Sequence, residues 1–297
     1  VELMLKILDK LDEQVKCEIH ATIESVVAKQ TERWENVVNN SNDYMACLGI
    51  QTDSEMDLIF SYLQPLPRIG RSGLQENMHG AFLKIEVADR LFSFFVNSTY
   101  PPFWGGRPKW LIQVGSEELS LNRTFGEGTG LTNTIPYEYH RAVLEKLSEY
   151  KSSVLQKIAL TASRNQEILT QTLSHSRDYM EKLGLTMSDV SIIKYNAEIQ
   201  PSTYGRVTLE DHMKDNFLEL EVDGKQFGLY AHSTFDNGWK ETIKAVCIND
   251  PSLNATTGDG TTQINAIPEI WHKKLLEKLE GDKSIQDNLR EKIRKAS

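Results

Sequence analysis

Phe82-Leu83-Lys84-Ile85-Glu86-Val87 is written twice in this chain, returning 135 positions later as Phe217-Leu218-Glu219-Leu220-Glu221-Val222. The apolar ends, the acidic fifth position and the closing valine are kept. The match continues on both sides: Leu74, Glu76 and Met78 recur as Leu209, Asp211 and Met213, and Ser98-Thr99-Tyr100 followed by Trp104 recurs as Ser233-Thr234-Phe235 followed by Trp239. Agreement of this length reads as a tandem duplication, which decides the architecture before any element is placed.

Ala81 to Val87 and Arg90 to Val96 are short, apolar and aromatic, and are separated by Ala88-Asp89. They are predicted as a β-hairpin. In the second copy the turn is Asp223-Gly224, a stronger hairpin signal because glycine accepts positive φ freely. A third strand is predicted at Trp110 to Val114, matched to Ala245 to Ile248. A polar, glycine-rich loop follows from Leu121 to Thr129, with its counterpart from Leu253 to Thr261. It leads into Asn133, Ile135, Pro136 and His140, which recur as Asn265, Ile267, Pro268 and His272. Both prolines suit the first turn of a helix.

Long helices surround these strands. From Leu8 to Leu48 apolar residues return at helical spacing through Val15, Ile19, Ile23, Val26, Trp34, Val37 and Tyr44, with Gln30 and Ser41 as polar interruptions and Gly49 placed to close the helix. Some forty residues rising about 1.5 Å each span roughly 60 Å, so one end is expected to project or to pair with another helix. A second helix, from about Tyr137 to Leu183, ends in Asp178-Tyr179-Met180 and Leu183-Gly184-Leu185, copies of Asp43-Tyr44-Met45 and Leu48-Gly49-Ile50. Leu276-Glu277-Lys278-Leu279 starts the pattern a third time. One helix is therefore expected to span both modules and set their orientation, and the charged tail from Gly281 to Ser297 is expected to fray or to continue a severed helix. The chain opens inside a helical pattern, which reads as a piece of something longer.

The resulting expectation is an α+β fold, a duplicated small antiparallel sheet joined and flanked by long amphipathic helices. Its parts are a helix over 1–48, a first module over 49–140, a linking helix over 141–184, a second module over 185–272 and a charged helix start over 273–297.

The 297 residues are 39% apolar and 25% charged, with 33 basic residues interspersed among 42 acidic ones and a net charge of −9. Nucleic-acid binding through a basic surface is disfavoured, and the acidity reads as solubility before DNA mimicry. Cys17, Cys47 and Cys247 show no metal or redox spacing, and neither a signal peptide nor a membrane-length apolar run stands out, so a cytoplasmic location is expected. The sequons at Asn97, Asn122 and Asn254 would matter only in a secretory protein.

Candidate chemistry is sparse. Gly126-Glu127-Gly128-Thr129 and Gly258-Asp259-Gly260-Thr261 invite a phosphate-loop reading, yet they lack the P-loop lysine and place an acid beside the anion, so a tight structural loop is the better reading, and a loop that binds would take a sugar, a peptide or a cation on Glu127 and Asp259 as readily as a phosphate. Ser98 and Ser233, read as just past a strand end, could be nucleophiles with His140 near Glu138 and His272 near Glu269, but neither sits in G-x-S-x-G. Glu86 and Glu221 occupy the mid-strand acidic position of restriction-type nuclease folds by analogy, without the lysine such a centre needs. No catalytic residue, metal or cofactor is assigned.

Polar identity between the copies is what asks for a reason: Arg71 with Arg206, Ser98-Thr99 with Ser233-Thr234, Thr129 with Thr261. Turn chemistry is one reason and a repeated ligand site the other. The expected site is a loop face built from Arg71, Ser98, Thr99, Tyr100, Trp104, Glu127 and Thr129, with Arg206, Ser233, Thr234, Phe235, Trp239, Asp259 and Thr261 as its second copy. The expected function is non-enzymatic binding of a partner protein or small ligand, with avidity from duplication. The alternatives are a hydrolase or nuclease relative and a helix-mediated assembly protein, the last allowing a homo-oligomer.

Overall fold

The computed structural model describes residues 13–64, 73–99, 109–126, 131–201, 208–258 and 263–296. The chain is α+β and divides into two compact units, Val1–Ala159 and Leu160–Ser297. In the first, α1 (Glu13–Leu48) is followed by α2 (Asp53–Leu58), a wider π-type turn (Ile59–Leu63) and α3 (Leu74–His79). The strands β1 (Leu83–Val87), β2 (Arg90–Thr99) and β3 (Lys109–Ser116) form an antiparallel sheet in that order, and β4 (Arg123–Phe125) and β5 (Thr132–Thr134) a small hairpin before α4 (Tyr137–Leu147). The second unit repeats the order. Helix α5 (Lys151–Leu183) leads to α6 (Met187–Tyr195), α7 (Leu209–Lys214), the sheet β6 (Leu218–Val222), β7 (Lys225–Phe235) and β8 (Trp239–Cys247), the hairpin β9 (Ala255–Thr257) and β10 (Ile264–Ala266), and then α8 (Glu269–Gly281) and α9 (Lys283–Ala296).

The local reasons are the ones the sequence advertises. Ala88 and Asp89 take φ of 50° and 59°, and Asp223 and Gly224 take 49° and 73°, the two positive values a tight hairpin needs. Gly49 and Gly184 end α1 and α5 at φ 75° and 63°, with the Ile50 and Leu185 amides donating back to Met45 and Met180. Thr52, Thr186 and Thr208 cap the helices that follow them, in reciprocal pairs with Glu55, Asp189 and Asp211.

Each sheet turns one face to the long helices. Phe92, Phe94, Val96, Ile112 and Val114 pack with Tyr44, Leu48, Val143, Leu147, Val154 and Ile158 in the first unit. Phe227, Leu229, Ala231, Ile243 and Ala245 pack with Tyr179, Leu183, Leu275, Leu279, Leu289 and Ile293 in the second. The other face is covered by α3 or α7 and by the small hairpin.

Three expectations change. The third strands match as β3 and β8, with Phe94 paired to Val114 and Leu229 to Ala245, so Val114 corresponds to Ala245, an offset of 131 rather than 135. The shift arises because nine residues separate Thr99 from its partner Lys109, against five between the equivalent Thr234 and Lys240. The helix expected from Tyr137 to Leu183 is broken by a tighter turn at Ser148–Tyr150. For the tail, fraying gives way to its alternative, a helix: α9 holds Leu289 and Ile293 buried, as are Val154 and Ile158 at the equivalent positions 135 residues earlier.

Ser41, a polar interruption in the helical pattern, is a clamp. Its Oγ accepts from the Ile112 amide on edge strand β3 at 2.9 Å, and Ser176 accepts from Ile243 on β8 at 2.9 Å. Each bond satisfies an edge amide in a dry interface. Ser41→Ala and Ser176→Ala are each expected to lower stability by about 1–2 kcal/mol in denaturant titration, because a buried N–H is left without a partner.

Among the described residues no helix is long and apolar enough to cross a membrane.

Candidate functional site

Of the expected loop face, Arg71, Tyr100, Trp104, Glu127, Thr129, Arg206, Asp259 and Thr261 lie outside the described residues. Ser98, Thr99, Ser233, Thr234, Phe235 and Trp239 are described, and they sit within strands rather than past them. Successive strand residues point to opposite faces, so each Ser-Thr pair is split across its sheet. Thr99 and Thr234 are buried; the Thr234 hydroxyl bonds Thr242 at 2.9 Å, whereas Leu111 occupies the position of Thr242 in the first unit and the Thr99 hydroxyl has no partner among the described residues. Ser233 lies on the helix-facing side and accepts from Lys194 and donates to Glu241.

Phe235 and Trp239 flank the three-residue turn Asp236-Asn237-Gly238, where Asn237 and Gly238 take φ of 50° and 134°. Their rings meet edge to face at 5.4 Å and stay 57% and 59% exposed. In the first unit Thr99 pairs with Lys109 and in the second Thr234 pairs with Lys240, so nine residues separate the paired positions in one copy and five in the other. Charges around this tip are spent internally. Lys240 reaches Asp236 at 2.6 Å, and Lys194 reaches Glu241 at 3.1 Å with side chains only 12% and 20% exposed. Tyr195, 54% exposed, lies with its ring 4.5 Å from the Lys194 ammonium.

The histidines of the nucleophile reading are held elsewhere. His140 accepts or donates at both ring nitrogens, to the Tyr44 hydroxyl at 2.8 Å and to Asp43 at 3.2 Å, not to Glu138. His272 meets Asp178 at 3.0 Å and stacks at 3.6 Å on His175, which bonds Glu269 at 3.1 Å. Burial and the neighbouring His272 push the His175 pKa down, and the His175 bond pulls the Glu269 carboxyl below its usual range. Burial raises the Tyr44 and Tyr179 phenols far above their ordinary value, so neither ionises near neutrality. The arrangement pins α1 to α4 and α5 to α8. Glu86 and Glu221 lie exposed on β1 and β6, and among the described residues no group of three or more ligating side chains could hold a metal.

The phosphate-loop reading also changes. Gly126 ends β4, and strand β5 intervenes before α4 begins at Tyr137, so the glycine-rich tip does not open onto a helix N-terminus. The amides of Asn122 and Asn254, two of the three sequons, clasp both backbone groups of Ser116 and Cys247. A cleft of about 410 Å³ beside α3 is lined by Gln75, Met78, His79, Lys84, Glu117 and Leu119, none of them in the expected site.

One cluster was not anticipated. Beneath α7, Lys244 is 1% exposed, with His212 stacked on Tyr230 at 3.9 Å and His232 beside both. The Lys244 ammonium donates to the Gln263 carbonyl at 2.8 Å. His232 Nδ1 donates to the Ser233 carbonyl at 2.8 Å, so it offers Lys244, 3.4 Å away, no lone pair. Burial, with Lys194 nearby, lowers the Lys244 pKa to about 7; burial, with Lys244 nearby, lowers His212 and His232 to about 3. Asn77, Asn97 and Gln113 hold these three seats in the first unit. The signal in the sequence is divergence between the copies at these three positions, not identity.

Comparison of the chain with family models, with curated proteins and with solved structures gives no match in any of the three.

Proposed function

We propose that the protein is a non-enzymatic interaction protein whose second unit presents the end of its sheet to a partner protein. The observation that carries this reading is the exposed Phe235–Trp239 pair, with Tyr195 exposed at the C-terminal end of α6. Large aromatic side chains left in water cost solubility, and they are the residues most enriched at the centres of protein interfaces. With Lys240 and Lys194 paired to Asp236 and Glu241, the patch offers apolar area without net charge, which favours an apolar protein surface over a polyanion. The cysteines Cys17, Cys47 and Cys247 form no disulfide, which supports a reducing, cytoplasmic setting.

The repeated polar side chains that are described support this reading little, since Ser41, Ser176, Asn122 and Asn254 are spent on the scaffold. A photoreactive phenylalanine analogue at position 239 in the full chain tests the tip. The expected result is one dominant protein adduct in cells, reduced at least about tenfold by Phe235→Ser, the scale of a hot-spot loss of about 1.4 kcal/mol or more. No adduct, or adducts indifferent to Phe235→Ser, would show that the tip is not an interface.

A further inference from the structure

Val15, Ile19, Ile23 and Val26 follow one another at steps of four, four and three, which places them on one face of α1. Val15, Ile23 and Val26 are 40%, 48% and 48% exposed. The same stripe occurs twice more at intervals of 135 residues, as Tyr150, Val154 and Ile158 and as Ile285, Leu289, Ile293 and Ala296. In both of those occurrences it is packed on a module: Val154 and Ile158 are 1% and 5% exposed in the first core, Leu289 and Ile293 are 5% and 6% exposed in the second, and Tyr150, Ile285 and Ala296 lie against them. Two of three copies of the stripe thus show what surface it fits.

We propose that the α1 stripe docks on the second unit of another copy of this chain, in the seat that α9 of that copy otherwise fills. The choice of unit follows from how each cap is attached. Val154 and Ile158 belong to α5, which runs unbroken to Leu183, so they cannot leave without breaking a helix. Helix α9 is separate, joined to α8 through the non-helical Asp282 at φ −128° and ψ 87°, and can leave as a unit. The exchange is chemically even: Val15, Ile19, Ile23 and Val26 replace Ile285, Leu289, Ile293 and Ala296, aliphatic for aliphatic. Because the two surfaces differ, the contact is head to tail, and association continues past two copies unless a ring closes. Attached α9 competes at an effective concentration of order 1 mM, so association of the intact chain belongs to high concentration.

Light scattering of the full chain from about 1 μM to about 1 mM tests this, with circular dichroism to check folding. Wild type is expected to rise above its single-chain mass of 33.8 kDa at the upper end, and the stripe variant Ile19→Asp/Ile23→Asp, at a half-buried and an exposed position, to stay at that mass. Leu289→Asp/Ile293→Asp, which loosens α9, is expected to associate at concentrations at least about tenfold lower, and adding the α1 changes to it is expected to restore the single-chain mass. Wild type that keeps its single-chain mass throughout, or association that survives Ile19→Asp/Ile23→Asp, overturns the proposal.

Discussion

Lowering the pH from 7 to 5 is expected to destabilise the second unit by about 3 kcal/mol, with loss of hydrogen-exchange protection in β7 and β8 and no comparable loss in β2 and β3. The cause is the cluster under α7. Burial beside Lys244 holds His212 and His232 at about 3, against 6.5 for a free histidine. The unfolded chain therefore binds two more protons than the folded unit between those values, and the stabilising contribution, complete above pH 6.5, drains away as the pH falls towards 3. The first unit carries Asn77 and Asn97 at these seats, and neither titrates. Equal loss of protection in both units at pH 5 would refute this account.

Lys244 works in the same direction at higher pH. Its ammonium is favoured less in the folded unit, with a pKa near 7 against 10.5, so stability should rise as the pH climbs through that window. Lys244→Gln installs the residue found at the same seat in the first unit, where the Gln113 amide donates to the Leu131 carbonyl and accepts from the Asn133 amide. The substitution is expected to raise stability at pH 7 by about 2 kcal/mol and to flatten the rise above it.

How much of this was legible depends on which chain property carried it. The duplicated Phe-Leu-x-x-Glu-Val stretch and the glycine-terminated helices declared the architecture, because hydrophobic spacing and positive-φ turns are local. The register of the third strand was not local. It depends on four extra residues between the paired positions in one copy, and a 135-residue spacing carried through them puts Trp110 in place of Val114 opposite Ala245. The Ser-Thr pairs of the expected site do not form loop clusters, for a related reason. Ser98-Thr99 and Ser233-Thr234 were read as a loop cluster, but the strands continue through them and send neighbours to opposite faces. Ser41 and Ser176 look like flaws in an apolar stripe, because a sequence does not reveal that an edge amide waits opposite. Phe235 and Trp239 stand out in the sequence by their kinship to Tyr100 and Trp104, whereas their exposure comes from the short turn between them.

The most consequential side chain that escaped notice is the glutamine that stands in for a strand. Strand β1 stops pairing at Phe94 of β2, and β6 stops at Leu229 of β7, so the next backbone groups on that side have no strand partner. Gln64 fills the gap in the first unit: its Oε1 accepts from the Val96 amide and its Nε2 donates to the Val96 carbonyl at 3.1 Å. Gln200 does the same for Ala231, at 2.6 Å and 3.0 Å. Both glutamines are nearly buried, at 7% and 2% exposure, so water cannot replace them. Only an amide carries one donor and one acceptor at the spacing of a peptide edge. Gln64→Leu and Gln200→Leu keep the volume and strand a buried N–H together with a buried C=O, for an expected loss of about 2–5 kcal/mol each. Glu at either position keeps the acceptor but loses the donor and buries a charge, so it should fare no better, whereas a surface glutamine such as Gln75 should tolerate leucine within about 0.5 kcal/mol. Denaturant midpoints for the five variants decide it. A small effect of Gln64→Leu and Gln200→Leu would mean that the ends of β2 and β7 rest on side-chain packing alone. A large one establishes that each sheet is completed by a side chain, which explains why the two units keep a glutamine there although the spacing between the copies has slipped to 136.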